Sequence, residues 1–235
     1  MRIGVMCSGN GPNFQNIITN PVCNTNEVVI MIHNKKKCGA AKRAVKLGIP
    51  HCYIDSENET DIVKLLKAWN VDLVVLAGWM RIVSPEFIDA FPNRIINLHP
   101  SLLPKYKGLH AIEQALKSDD NVTGCTVHYV NEELDGGEII LQQEVPILPN
   151  DDLKSLTKAI QRREYTFYLE QLNMLSTKYR LELTDICCRM ITDDGVPVTL
   201  DERIWMTKLC EKNLSARSIA ESLLCPDKIE DRGHN

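Results

Sequence analysis

The sequence predicts an α/β fold, a mostly parallel, twisted sheet with helices on both faces. Three observations predict it. Val71 to Ala77 is an almost unbroken apolar run, the pattern of a central parallel strand covered on both faces. Ile3 to Cys7 is a shorter apolar run that ends in Ser8-Gly9-Asn10-Gly11-Pro12-Asn13 and gives way to helical spacing through Phe14, Ile17 and Ile18. Ile95 and Ile96 read as the end of a buried strand, and Asn97 and His99 follow two positions apart, on one side if the extended geometry continues. At 235 residues the chain is long enough for one substantial α/β domain with an appendage.

Taken in order, strand, glycine loop and helix over the first residues present backbone N–H groups and a helix's positive end to an anion, most simply a phosphate. A dinucleotide fold is the rival reading. It lacks the third glycine, since Phe14 stands there, and the second strand, Val28 to Ile32, leads into His33-Asn34-Lys35-Lys36-Lys37 rather than a ribose-binding acid. Lys35 to Lys37 reads as a solvated loop. Lys42, Arg43 and Lys46 lie on the next helix as a weak steering field for an anion, with Ala40, Ala44, Val45 and Leu47 to pack. Residues 59 to 69 form an amphipathic helix through Ile62, Leu65, Leu66 and Trp69. Gly78 follows the central strand and lets the backbone turn, and Ser84-Pro85 reads as N-cap and first residue of a helix.

Pro100 and Pro104 stiffen the segment leaving Asn97 and His99, and Gly108 breaks it before a helix near His110. Asn121 to Val130 and Glu138 to Ile147 are two β-rich stretches joined through Asp135-Gly136-Gly137, hence antiparallel neighbours. Asp151 is the expected cap of a helix from about Asp152 to Met174, with Leu153, Leu156, Ile160, Phe167 and Leu172 on its buried side. A hairpin over 180–198 and helix-like pieces at 201–213 and 215–224 complete the chain.

A hydrophobic fraction of 44% against 25% charged residues is that of a soluble globular protein, not a disordered one. The net charge of −4, and nine basic against eleven acidic residues over 176–235, give no footprint for nucleic acid. Nothing approaches the ~20 apolar residues of a membrane span, and the short first apolar run is a strand rather than a leader. The nine cysteines are scattered with no CxxC pair, so reduced thiols, a cytoplasmic location and no metal are expected.

The chemistry concentrates in three residues. Asn97 offers an N–H donor to a developing oxyanion, and His99 exchanges a proton near neutral pH. The turn before Gly136-Gly137 can bring Asp135 against His99, where a carboxylate raises the imidazolium population. Each alone also fits a scaffold or turn residue; the combination is far less expected by chance.

Asn97-Leu98-His99-Pro100-Ser101-Leu102-Leu103-Pro104, then Gly108-Leu109-His110, Val127-His128-Tyr129-Val130 and Glu133-Leu134-Asp135-Gly136-Gly137, closely resemble the glycinamide ribonucleotide formyltransferases of purine biosynthesis, in order over residues 1 to about 175. The resemblance implies a Rossmann-like formyltransferase fold over 1–175, with 176–235 as a C-terminal hairpin and helical extension. It implies that Asn97, His99 and Asp135 are catalytic, that Gly11, Pro12 and Asn13 hold the substrate's phosphate and Glu164 its ribose hydroxyls, and that Met80, Arg81, Ile82, Val83, Val130 and Asn131 border the folate pocket. His128 is then a supporting strand residue, and 10-formyltetrahydrofolate the co-substrate. Pro12 departs from the family's usual Ser and removes a backbone donor and a hydroxyl, although proline suits the first position of a helix. Tyr165 stands where the family often has His.

The implied reaction formylates the amine of glycinamide ribonucleotide, with small molecules as the only partners and a monomer or homodimer as the assembly. A methionyl-tRNA formyltransferase would carry a basic C-terminal domain, and a formyltetrahydrofolate hydrolase an extra N-terminal one where this chain enters its first strand at Arg2. A sugar-amine N-formyltransferase is the nearer alternative, and a non-catalytic folate- or nucleotide-binding homologue is the alternative from another class.

Overall fold

The structure is a computed structural model that describes residues 1–19, 26–55 and 57–164. The chain divides into two units, Met1–Asn173 and Met174–Asn235. Tyr165, Phe167 and Leu172, the hairpin expected over 180–198 and the helices expected over 201–213 and 215–224 lie outside the described residues.

Apolar runs become strands where expected: β1 (Arg2–Cys7), β2 (Glu27–His33), β4 (Leu73–Leu76), β5 (Ile95–His99), β6 (Val122–Tyr129) and β7 (Ile139–Pro146). A short strand, β3 (His51–Tyr53), was not anticipated. With three residues, two of them exposed, it carries too little alternation to register as a strand. Helices α1 (Pro12–Thr19), α2 (Gly39–Leu47), α3 (Glu59–Ala68), α4 (Pro85–Ala90) and α5 (Ala111–Leu116) connect the strands, and residues 153–164 form α6.

The sheet has seven strands in the order β3-β2-β1-β4-β5-β6-β7. The chain runs outward from β1 through β2 to β3, returns to the other side of β1 as β4, and continues to β5, all in parallel. β6 and β7 then add antiparallel. The reversal of winding between β1 and β4 opens a crevice at the carboxyl ends of the strands, where the loops after β1, β4 and β5 meet. The first two of those loops are tied together. Ser8 N–H donates to the Gly78 carbonyl (3.0 Å), and the Ser8 hydroxyl accepts from Met80 N–H (2.9 Å).

A cluster of Met6, Ile30, Ile62, Leu66, Trp79 and Phe87 with its neighbours is buried. Each such side chain contributes about 1.5–3 kcal/mol by leaving water. Ala40 and Ala44 are buried on α2 at i and i+4, but Val45 is 69% exposed, because the next helical position turns away from the face that the alanines occupy. The expectation that Val45 packs is therefore corrected; Leu153, at the first position of α6, is exposed as well, while Leu156 and Ile160 one and two turns on are buried.

The start of α6 differs as well. Asp152, not Asp151, caps it: Asp152 Oδ1 accepts from Ser155 N–H (2.7 Å) and Ser155 Oγ accepts from Asp152 N–H (2.9 Å), a reciprocal box. Asp151 instead accepts from Leu148 N–H and from the Ser155 hydroxyl.

Ser84 caps α4 as expected, its hydroxyl accepting from Phe87 N–H (3.2 Å) with Pro85 at the first helical position. Ser84→Ala should lower stability by about 1 kcal/mol, measured as a lower denaturant midpoint at unchanged slope; an unchanged midpoint would show that the cap carries no weight.

Candidate active site

Asn97 and His99 are the last alternate positions of β5, on the same face of the strand. The antiparallel register sets Asn97 opposite His128 and His99 opposite Thr126. Directly opposed residues share a face, so the Asn97 amide meets the His128 ring, Nδ2 to Nε2, at 3.2 Å.

Asp135 arrives from the turn between β6 and β7 with φ of 47°, and Gly136 N–H closes that turn on the Glu133 carbonyl (3.0 Å). At Gly137 a Cβ would lie 1.8 Å from the Tyr129 carbonyl oxygen, so only glycine fits beside the strand. One oxygen of the Asp135 carboxylate accepts from Gly108 N–H (2.8 Å) and lies 3.3 Å from His99 Nδ1. The other lies 3.5 Å from Asn97 Nδ2 and 3.6 Å from His128 Nε2. Gly108 has φ of 78°, the conformation in which its N–H reaches the carboxylate.

The network assigns the tautomers. His128 Nδ1–H donates to the Tyr129 carbonyl (2.8 Å), which leaves Nε2 to accept from Asn97. His99 Nε2–H donates to the Tyr106 carbonyl (2.8 Å), which leaves Nδ1 toward Asp135. Burial pushes the pKa of His99 down; the Tyr106 carbonyl and the Asp135 carboxylate pull it up and His128 pushes it down again, with a net value below the ordinary imidazole range. The carboxylate acts in the expected direction, but at 5% exposure the desolvation of the ring outweighs it. The net shift in the unliganded protein is therefore toward the neutral ring. Burial also pushes Asp135 up, yet the neighbouring His128 ring, the Gly108 N–H and the His99 ring pull it down to about 2, so it is ionised.

The glycine loop lies at the end of β1, with Gly11 at φ of 65° and Pro12 opening α1. Asn13 Nδ2 donates to Glu164 Oε2 (3.2 Å), so the loop and α6 converge although they are 151 positions apart. Glu164 is 6% exposed, and burial pushes its carboxyl up to about 7 against the pull of the Asn13 hydrogen bond.

Of the remaining expected residues, Met80, Arg81 and Asn131 are exposed, Ile82 is 72% exposed, and Val83 and Val130 pack in the same cluster behind them. The strand-end loops thus carry an apolar rim of Met80 and Ile82 beside the crevice, a surface that suits a flat heterocycle. The sequence reading did not include the Gly108 N–H and the Tyr106 carbonyl, since backbone groups leave no signature in side-chain identity. His128, expected as a supporting strand residue, lies in β6 and supports Asn97 through the hydrogen bond that the register allows. Among the described residues no group of three or more His, Cys, Asp or Glu is placed to hold a metal ion.

A family model described as formyl transferase matches residues 1–172, and a model of a domain of unknown function matches residues 174–222. Phosphoribosylglycinamide formyltransferase of Haemophilus influenzae is 37% identical over 195 residues, 78% of this chain and 91% of its own. That of Escherichia coli is 40% identical over 179 residues, 72% and 84%. The trifunctional purine biosynthetic protein adenosine-3 of Drosophila melanogaster is 40% identical over 185 residues, but the match spans 14% of that protein's length. The crystal structure of phosphoribosylglycinamide formyltransferase from Bacillus halodurans superposes with a TM-score of 0.72 at 39% identity, covering 76% of this chain and 97% of that one.

The site's electrostatics fix the acid limb of stability. The folded pKa of His99 lies below its unfolded value of about 6.5, and that of Asp135 below about 3.9. Both groups stabilise above those unfolded values, and the contribution is lost as pH falls through the folded ones. Acid unfolding should begin below about pH 6.5 and gain a second phase between about 4 and 2 that Asp135→Asn lacks. In the same variant the His99 ring, followed by NMR, should titrate lower still; an unchanged or higher titration would mean that the carboxylate does not act on it.

Proposed function

Because the chain belongs to the formyl transferase family, we propose that it transfers the formyl group of 10-formyltetrahydrofolate to the amine of glycinamide ribonucleotide in purine biosynthesis. The observation that carries this reading is the convergence of Asn97, His99 and Asp135 on one buried cluster at the carboxyl ends of the strands.

The substrate amine attacks the formyl carbon, and negative charge develops on the formyl oxygen. Asn97 has two N–H groups, one donated to His128 and the other in a long 3.5 Å contact with Asp135, and the second leaves that contact for the oxyanion when substrate is bound. His99, neutral at rest, takes up the amine's proton directly or through water as charge appears. Asp135, ionised throughout, stabilises the imidazolium so formed. The ring then returns the proton to the folate nitrogen as its bond to the formyl carbon breaks. One C–N bond forms, one breaks, and one proton changes nitrogen.

Gly11, Pro12 and Asn13 take the phosphate end of the ribonucleotide, and Glu164 the ribose hydroxyls. Glu164, half-protonated near neutrality, can donate to one hydroxyl or accept from it. Met80, Arg81, Ile82, Val83, Val130 and Asn131 border the pterin. We assign this chemistry to residues 1–175 and treat 176–235 as a separate extension. Among the described residues no helix is long and apolar enough to cross a membrane, and we place the protein in the cytoplasm.

A spectrophotometric transfer assay with a 10-formyl folate tests the reading against an amino-sugar nucleotide in parallel. Turnover with the ribonucleotide alone is expected. Turnover with the sugar alone would keep the chemistry and reject the substrate, and folate binding without turnover of either would make the chain a non-catalytic homologue. Asn97→Ala and His99→Ala should each lose on the order of a hundredfold or more in kcat, while a fall of less than about tenfold in either would remove that residue from the mechanism. Pro12→Ser restores a backbone donor and a hydroxyl at the phosphate loop, and should lower KM for the ribonucleotide with kcat unchanged; an unaltered KM would mean that Pro12 imposes no cost.

A further inference from the structure

Lys42, Arg43 and Lys46 read in the sequence as a diffuse positive field, yet the structure separates Arg43 from the other two. Lys42 and Lys46 are exposed, whereas Arg43 is partly buried against the glycine loop. Its Nε–H donates to the Asn10 carbonyl (2.7 Å), and Nη1 donates to the Gln15 side-chain oxygen. One guanidinium therefore spans the loop and the first turn of α1.

The rest of the loop is gripped by the same helix. The Gly9 carbonyl accepts from Ala40 N–H (3.1 Å) and from the Cys38 thiol (3.0 Å). Ala40 also lies so close to Gly11 that a Cβ there would sit 2.6 Å from the Ala40 Cβ. Three consecutive loop residues, Gly9, Asn10 and Gly11, are thus each fixed by α2.

A trans peptide is planar, so the carbonyl of one residue and the N–H of the next point in opposite directions. Whatever holds the Asn10 carbonyl also aims the Gly11 N–H. We propose that Arg43 is a positioning residue for the anionic end of the substrate: by fixing the Asn10 carbonyl and Gln15 it aims the Gly11 N–H into the anion site in front of α1, where Pro12 has no N–H to give. Arg43 acts through the backbone, and a cation that could not hold both acceptors would not replace it. This rests on the ribonucleotide reading of the site above, and its test stands apart from turnover.

Backbone amide spectra of the ¹⁵N-labelled full chain, titrated with inorganic phosphate, read the loop directly. In the wild type the Gly11 and Asn13 amides should shift together. In Arg43→Met the Gly11 shift should disappear and phosphate affinity fall about tenfold, the scale of one charge-assisted hydrogen bond. Arg43→Lys, which keeps the charge but not the fork, should behave like Arg43→Met. If Arg43→Lys retains wild-type affinity, the effect is charge alone and the proposal is wrong; retention of the Gly11 shift in Arg43→Met overturns it equally. Folate affinity close to wild type in both variants shows that the fold is intact. With the ribonucleotide and its phosphate-free nucleoside as substrates, Arg43→Met should raise KM about tenfold for the first only, with little change in kcat, and an equal rise for both would again overturn the proposal. Failure of the wild type to use the ribonucleotide would reject the proposed function while leaving the phosphate titration to decide on Arg43.

Discussion

The Asp135 carboxylate is an ionised group held out of water, and a buried charge has to be matched on every side. Its partners come from three separate pieces of chain: the Gly108 amide from the loop after β5, Asn97 and His99 from β5 itself, and His128 from β6. That requirement is what binds the loop to the sheet. It fixes the left-handed conformations of Gly108 and Asp135, and it demands that the β6–β7 turn lie against Tyr129 closely enough to admit only glycine at position 137.

The sheet topology explains why these pieces meet. β5 pairs in parallel with β4 on one side and antiparallel with β6 on the other. A parallel neighbour would have placed its own carboxyl-end loop beside that of β5. The antiparallel one ends at Tyr129, opposite Ile96 near the amino end of β5, and the residues past 129 fold back so that Asp135 reaches Asn97 and His99. A Rossmann-like half supplies the glycine loop, and an antiparallel half supplies the carboxylate.

Much of this was legible in residues. The Val71–Ala77 run, the strand-loop-helix at the start, the Ser84-Pro85 cap and the pairing of Asn97 with His99 carry their structure in side-chain identity and period. The approach of Asp135 to His99 could be anticipated because a glycine pair marks a turn and a carboxylate precedes it. The protonation balance of His99 was not legible. It depends on burial, which a charge count cannot supply, and burial outweighs the neighbouring carboxylate. The displacement of the α6 cap from Asp151 to Asp152 hinges on one residue of phase between two adjacent acids, and the pairing of Asn13 with Glu164 spans a separation that no local pattern reports. Arg43 looked like its lysine neighbours because composition records charge but not which carbonyl it grips.

The order of strands has a consequence for a chain that emerges from the ribosome amino end first. β1 through β5 are complete and can close their parallel pairings once residue 99 is available, while Asp135 and β6 are still to be made. The residues that bear Asn97 and His99 are thus made before the acid that joins them. The costly step, taking a carboxylate out of solvent, is thereby deferred until every donor that will receive it is already in place. Vectorial synthesis and the energetics of burial run in the same direction here, because Asn97, His99, Gly108 and His128 all precede Asp135 in the chain.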